Sequence, residues 1–85
     1  MQKISVVIIT KNEEKHIKNA IQSALFADEI LVLDSGSIDK TCDIAKNLGA
    51  RVEHQEWLGF GCQKNKAVEL ASNDWVFVLD ADEEI

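Results

Sequence analysis

The feature that most constrains the fold of this chain is an alternation of short apolar runs with segments of helical periodicity. Ile4 to Ile9 form a continuous, mostly β-branched run, which is typical of a strand buried on both faces. Thr10 to Glu13 then fit a capping box that would start a helix. One face of that helix is predicted from apolar residues at intervals of three and four: Ile17, Ala20, Ile21, Ala24 and Leu25.

The same pattern repeats along the rest of the chain. Ile30 to Leu33 predict a second strand, and Gly49 stands where a C-cap glycine would end the helix after it. That second helix has the stripe Thr41, Ile44, Ala45 and Leu48. Arg51 to Gln55 predict a third, mostly polar strand, and Trp75 to Leu79 a fourth, apolar one. The helix between them carries Lys64, Ala67, Val68 and Ala71.

Strands that alternate with helices predict an α/β fold with a parallel sheet and right-handed crossovers, here βαβαβαβ. The apolar strands one and four belong in the middle of a complete sheet and the polar third strand at an edge, so we expect the order 3-2-1-4. Strand four would then be terminal although it is the most apolar. We therefore expect the protein to continue past Ile85 and cover it, and the 85 residues alone to pair strand four with a second copy.

Size and charge restrict the function classes. Eighty-five residues form one small domain, and the net charge of −6 argues against nonspecific nucleic-acid binding. Cys42 and Cys62 fit neither a zinc site nor a disulfide framework, so we expect free thiols in a reducing compartment. Without a signal-peptide pattern or an apolar run of about 20 residues, we expect a soluble, cytoplasmic protein.

Polar groups follow three of the four predicted strands. Strand one ends in Thr10-Lys11-Asn12, strand two in Asp34-Ser35-Gly36-Ser37 and strand four in Asp80-Ala81-Asp82. Each has a simpler explanation as a helix cap, a turn or a solvated acidic end. In the order 3-2-1-4, however, all three lie beside the point where the strand order reverses, which is where open α/β sheets bind ligands.

The acids on this rim indicate the kind of ligand. Asp34, Asp80 and Asp82 would repel a phosphate unless a cation lay between them. Mg²⁺ and Mn²⁺ take carboxylate oxygens together with substrate phosphates. The residues therefore predict a metal-bridged pocket for a nucleotide diphosphate.

Three segments resemble the N-terminal half of family 2 glycosyltransferases, which have the GT-A fold and a DxD motif. They are residues 5–13 (SVVIITKNE), 32–41 (VLDSGSIDKT) and 78–82 (VLDAD). Residues 57–65 (WLGFGCQKN) are similar more narrowly to bacterial lipopolysaccharide-core glucosyltransferases. The resemblance covers essentially the whole chain, and it implies a Rossmann-like GT-A half-domain, residues 1–85, that binds the nucleotide-sugar.

The resemblance also implies roles for single residues. Thr10 and Asn12 would border the nucleotide base with Glu13 beside them, and Asp34 would be the nucleoside-binding acid. Many members have two aspartates there, where this chain has Asp34-Ser35. Lys64 would contact the nucleotide. The DxD motif would be Asp80 and Asp82, with Asp82 the direct metal ligand and Asp80 turned toward the sugar or ribose.

The implied reaction transfers a sugar, with UDP as the expected carrier, to an acceptor hydroxyl of a glycan or glycolipid, usually with inversion. A divalent cation, Mg²⁺ or Mn²⁺, would stabilise the leaving diphosphate. The family's catalytic base follows the DxD motif, so no residue here matches it and we expect the 85 residues alone to be inactive. Lipopolysaccharide synthesis would place the protein at the inner face of the bacterial inner membrane, in peripheral contact with it.

Two other functions stay open on the residues alone. A sugar-phosphate nucleotidyltransferase would have a glycine-rich, basic loop after strand one, where this chain has Thr10-Lys11-Asn12-Glu13. A non-enzymatic, Mg²⁺-binding phosphoacceptor module would have an acidic pair at that place. The aromatic residues are expected to pack in the core rather than to bind sugar: Trp57, Phe60 and Trp75.

Overall fold

The computed structural model describes residues 3–73 and 75–81. Its strands are β1 (Ile4–Thr10), β2 (Glu29–Asp34), β3 (Arg51–His54) and β4 (Trp75–Asp80). Its helices are α1 (Ile17–Ser23), α2 (Thr41–Asn47) and α3 (Phe60–Leu70). All strand pairs are parallel, and the order in the sheet is β3-β2-β1-β4. The predicted Rossmann-like α/β architecture and strand order are confirmed.

The sheet has a hydrophobic core on each face. On one face, Val6 and Ile8 of β1 pack with residues of α1 and α2, among them Ile17 and Ala45. On the other face, Val7 of β1 packs in a cluster that includes Ala67 of α3. Because helices cover both faces, β1 is a continuous apolar run rather than an alternating one.

The predicted capping box is wrong. Thr10 stays in β1, and α1 begins only at Ile17, with no side-chain cap at its N-terminus. The backbone amides that precede the helix donate instead to side chains of the segment that leads from β2 into α2. The amides of residues 12, 13 and 14 donate to Ser37 Oγ at 2.8 Å, Thr41 Oγ1 at 2.8 Å and Asp39 Oδ2 at 3.2 Å. The first two crossover loops therefore hold each other at the carboxyl end of the sheet.

Two residues of the predicted helical stripes lie outside the core. Leu25 follows the end of α1 and Val68 lies on the outer side of α3, and both are exposed. Helix α3 buries Gln63 and Ala67, which lie one helical turn apart. The prediction that a glycine ends the second helix is correct. Gly49 follows α2 with a φ of 89°, a conformation that glycine adopts without strain.

Within the described residues, the sheet ends in β3 on one side and β4 on the other. Strand β3 is polar and exposed, as predicted for an edge. In β4, Trp75 is 54% and Phe77 is 52% exposed, so the expectation that Trp75 packs in the core is wrong. Trp75 and Phe77 are the register partners of Ile4 and Val6 and lie on the same face of the sheet as they do. On β4, this face extends past the area that the helices cover. The side chain of Phe60 lies outside the described part of the structure.

A polar cluster joins α3 to the amino end of the sheet. The Glu29 carboxylate accepts hydrogen bonds from the Ser5 hydroxyl (2.9 Å), from the Ser72 amide and hydroxyl (2.9 and 2.8 Å) and from Arg51 (3.0 Å). Burial by itself would raise the pKa of Glu29, but these donors outweigh it and the pKa lies below its usual value. Among the helices that the structure describes, none has the length and apolarity needed to cross a membrane.

Candidate functional site

A cleft of about 260 Å³ lies at the carboxyl ends of β1, β2 and β4. Ile9 of β1 is at its centre, Asp80 of β4 is its register partner on one side, and Ser35 follows β2 on the other side. Ile9 and Asp80 lie two positions after Val7 and Val78, whose side chains belong to the α3 core cluster, so they point to the same α3 side of the sheet. The cleft therefore opens where the strand order reverses, as predicted.

Asp34 holds together the strand ends and the turn beside this cleft. It is 4% exposed, and its Oδ1 accepts hydrogen bonds from the hydroxyls of Thr10 (2.6 Å) and Ser37 (2.5 Å). Its Oδ2 accepts from the amides of Gly36 (3.0 Å) and Ser37 (2.8 Å). Since a carboxylate has about four acceptor positions, Asp34 is saturated by the protein itself. Its implied contact with a nucleoside stays a prediction.

The same contacts keep Asp34 charged. Burial raises the pKa of this carboxyl group, but the hydrogen bonds from Ser37, Thr10 and the Gly36 amide outweigh burial, and the pKa lies below its ordinary value. The rim thus contains a fixed negative charge whose oxygens face neighbouring protein donors.

Asn12 lies beside the cleft and connects its two loops. Its φ of 55° is in the left-handed region, which asparagine tolerates better than most residues. Its Oδ1 accepts a hydrogen bond from the Ile38 amide at 2.8 Å. The neighbours Lys11 and Glu13 line the cleft, whereas Asn12 does not. Lys11 was not singled out from the sequence, although its place directly after β1 was the available signal.

Gln63 is a second residue that the sequence analysis missed. Its side chain is fully buried, and its Nε2 donates hydrogen bonds to Ser35 Oγ (2.9 Å) and to the Gln55 carbonyl oxygen (3.4 Å). Its Oε1 accepts a hydrogen bond from the Leu58 amide at 3.2 Å. One side chain of α3 therefore fixes the end of β2 and both sides of the loop that carries Trp57.

Trp57 belongs to the cleft rather than to the core. It is 49% exposed and lines the cleft from the loop between β3 and α3. The expectation that it is a packing residue is therefore wrong. The loop that carries it begins after β3, at the opposite end of the sheet order from β4.

The remaining predicted site residues differ in their positions. Thr10, Glu13 and Asp80 line the cleft. Lys64 is exposed on α3 and is not among the residues that line it. Asp82 lies outside the described residues, so the second half of the predicted DxD motif has no described position.

The donor set of the cleft decides what kind of cation fits it. Within residues 3–73 and 75–81, no group of three or more His, Cys, Asp or Glu side chains comes together as a metal cage. Of the described residues that line the cleft, Glu13 and Asp80 carry carboxylates, and Asp80 lies at the β4 end. Mg²⁺ and similar hard cations are commonly held by one or two carboxylates, with phosphates and waters completing the coordination. The cleft fits a cation of that phosphate-bound kind.

Sequence comparison finds glycosyltransferases among the proteins that this chain is similar to. An uncharacterised glycosyltransferase of Rickettsia typhi is 51% identical over 86 residues, which is 100% of this chain and 30% of that protein. The lipopolysaccharide core biosynthesis glycosyltransferase LpsC of Rhizobium meliloti is 34% identical, covering 96% of this chain and 32% of LpsC. The chain thus spans about a third or less of the length of these relatives.

Solved structures give the same result. Glucosyl-3-phosphoglycerate synthase of Mycobacterium tuberculosis in complex with UDP superposes with a TM-score of 0.83 at 34% identity, over 96% of this chain and 34% of that one. Its complex with Mn²⁺, UDP and glucosyl-3-phosphoglycerate gives 0.81 at 33% identity, over 94% and 33%. The sequence profile of glycosyl transferase family 2 matches residues 5–85. The chain therefore belongs to glycosyl transferase family 2.

Proposed function

We propose that this chain binds the nucleotide-sugar donor of a glycosyltransferase, which transfers the sugar from a UDP-sugar to an acceptor hydroxyl. The observation that carries the proposal is the cleft at the carboxyl ends of β1, β2 and β4, in a member of this family. Support comes from the related mycobacterial synthase, whose structures contain UDP and UDP-glucose.

The shape of the cleft suits a donor of this kind. Asp80 at the β4 side and Ser35 at the β2 side lie about two strand spacings apart, which is roughly 10 Å. The volume of about 260 Å³ is just below the roughly 300–1,000 Å³ of sites that enclose a whole drug-sized ligand. We infer that the described part of the site holds an elongated portion of the donor, the nucleoside and its phosphates.

We assign the phosphates to the Asp80 side of the cleft. Asp80, together with Asp82 outside the described residues, would hold a divalent cation, Mg²⁺ or Mn²⁺. When bound, such a cation neutralises the diphosphate that leaves the sugar. The Mn²⁺ in structures of the mycobacterial synthase supports this assignment. Lys11 lines the same cleft and adds a cationic group near the phosphates.

The chain's own residues supply rigidity to this site. The Thr10–Asp34 and Ser35–Gln63 hydrogen bonds, of 2.6 and 2.9 Å, fix the ends of β1 and β2 independently of any ligand. A preformed rim lowers the conformational entropy lost when the donor binds. We propose that the base that activates the acceptor lies outside the described residues.

We propose a cell-envelope glycan or glycolipid as the acceptor, and action at the cytoplasmic face of the inner membrane. The similarity to LpsC, whose name refers to lipopolysaccharide core biosynthesis, supports this choice. A structure of the mycobacterial synthase contains phosphoglyceric acid, so a phosphorylated small molecule is the second acceptor class. Because the 85 residues alone are expected to be inactive, the longer protein is incubated with UDP-glucose and either acceptor class, and mass spectrometry of the products distinguishes the two.

Titration calorimetry with UDP, in the presence and absence of Mn²⁺, tests the donor assignment. We expect the affinity to fall roughly 10- to 100-fold without Mn²⁺ or in Asp80→Asn, since charge-assisted contacts contribute about 1.5–3 kcal/mol. Asp43→Asn, on the exposed side of α2, is the matched control and should bind like the wild type. Equal UDP affinity with and without Mn²⁺ would contradict the proposal.

A further inference from the structure

We infer that the indole ring of Trp57 is the stacking platform for the nucleobase, an inference that rests on the proposed nucleotide-binding function. Trp57 is the aromatic side chain among the described residues that line the cleft. Trp57 is 49% exposed although it lines a cleft, so about half of its surface is available to a ligand. Covering that surface with the flat ring of a base would remove apolar area from water.

The sheet order assigns Trp57 to the base end of the ligand. Trp57 follows β3 and Asp80 ends β4, and these strands lie at opposite ends of the order β3-β2-β1-β4. Ile9 and Ser35 lie between them along the cleft. A ligand whose phosphates lie near Asp80 therefore places its opposite end, the nucleobase, toward Trp57.

Gln63 holds the platform in place. The Gln55 carbonyl and the Leu58 amide, on the two sides of Trp57 in the chain, both bond to the buried Gln63 side chain, at 3.4 and 3.2 Å. The same side chain bonds Ser35, which lines the cleft. These hydrogen bonds fix the loop to Ser35 at the end of β2, so the indole ring needs little reorganisation when a ligand binds.

Stacking on an aromatic side chain contributes to affinity for every base, because each base has a π-face. Trp57 therefore increases nucleotide affinity without choosing the base. The expected contribution corresponds to a roughly 5- to 100-fold change in dissociation constant, from about 1–3 kcal/mol per stacked base.

Calorimetric titration of four proteins in the presence of Mg²⁺ tests this inference: wild type, Trp57→Leu, Trp57→Phe and the control Trp75→Phe. We expect Trp57→Leu to weaken UDP binding about 5- to 100-fold, Trp57→Phe to weaken it less, and Trp75→Phe to leave it unchanged. Inorganic pyrophosphate, which has no base, should bind wild type and Trp57→Leu equally. Because the chain has two tryptophans, Trp75→Phe also allows UDP quenching of Trp57 fluorescence to be measured alone.

The outcomes separate this inference from the proposed function. UDP binding that is equally tight in wild type and Trp57→Leu overturns the platform and leaves the donor site standing. An equal loss for UDP and pyrophosphate in Trp57→Leu means a distorted loop and also overturns it. Weakened binding of UDP-glucose but not UDP would place the ring against the sugar, again overturning it. Absence of UDP binding by the wild type would refute the proposed function itself.

Discussion

The Thr10 hydroxyl donates a 2.6 Å hydrogen bond to Oδ1 of Asp34, its register partner on the neighbouring strand. This bond joins the ends of β1 and β2 at the point where the cleft begins. The Asp34 carboxylate also binds the Gly36 and Ser37 amides, so it fixes the turn after β2 at the same time. The rim of the candidate site therefore depends on one buried, charged carboxylate.

Asp34→Asn should lower the free energy of unfolding at pH 7 by about 1–3 kcal/mol, because an amide accepts with one oxygen and leaves buried donors unpaired. The pH dependence has a defined sign. The folded pKa is below the ordinary 3.8, so the stabilisation is present above pH 3.8 and is lost as the pH falls through the lowered value. Urea unfolding between pH 7 and 2.5 should show this loss in the wild type and a flatter curve in Asp34→Asn. An equal pH dependence in both proteins would contradict the role of Asp34.

Gln63→Met should also destabilise the protein by about 1–3 kcal/mol, since it leaves the Ser35 hydroxyl and the Leu58 amide without their partner. If Gln63 positions the Trp57 loop, the indole should become more mobile in the folded state. Acrylamide should therefore quench the fluorescence of Trp57 more strongly than it does without the Gln63 substitution. The measurement uses a Trp75→Phe background without urea, where the protein is folded. Unchanged quenching with lower stability would limit Gln63 to a packing role.

Glu29→Gln should affect stability and leave ligand binding intact. It weakens bonds to Ser72, Ser5 and Arg51 at the amino end of the sheet, with an expected cost of about 1–3 kcal/mol. Because the pKa of Glu29 is lowered, this stabilisation is present above its ordinary value of 4.5 and is lost at lower pH. Urea unfolding and UDP calorimetry measure the two properties. A large loss of UDP affinity would show that the two ends of the sheet are coupled.

The exposed apolar residues of β4 predict self-association. Among the described strands, β4 pairs with β1 alone, and Trp75 and Phe77 are half exposed on it. Such a strand recruits a second chain unless a charge or a cover prevents it. Light scattering should show a mass that rises with concentration, and Phe77→Lys should reduce it toward 9.5 kDa. Ile38→Lys, at a loop position that is 94% exposed, is the control. A wild-type monomer at all concentrations would contradict the prediction.

The fold was predictable because strand apolarity reports burial. Strand β1 is apolar at successive positions since helices cover both of its faces, and polar β3 is an edge. The helix start was not predictable from local residues. The amides of residues 12–14, which precede the helix, bond to Ser37, Thr41 and Asp39, which lie about 25 positions away in the sequence. A capping rule that considers only neighbouring residues cannot identify such partners.

The site was predictable where it depends on strand ends. Thr10 and Asp80 lie at the cleft because the carboxyl ends of parallel strands share one edge. The burial of Gln63 was not predicted, because a polar residue in a helix usually faces solvent. Its spacing of four from Ala67, which puts both on one helix face, was the available signal. The sequence predicts Trp57 in the core because aromatic residues usually pack there, and its position in a loop is the contrary signal.

Backbone amide shifts during a titration with UDP and Mg²⁺ test the location of the nucleotide most directly. Two-dimensional NMR of the ¹⁵N-labelled protein should show saturable shifts that concentrate at Thr10, Lys11, Ser35, Trp57 and Asp80. Residues of the amino end, such as Glu29 and Ser72, should stay unchanged and serve as the internal control. Shifts that concentrate at the amino end of the strands, or no saturable shifts at the cleft, would contradict the assignment of this cleft as the donor site.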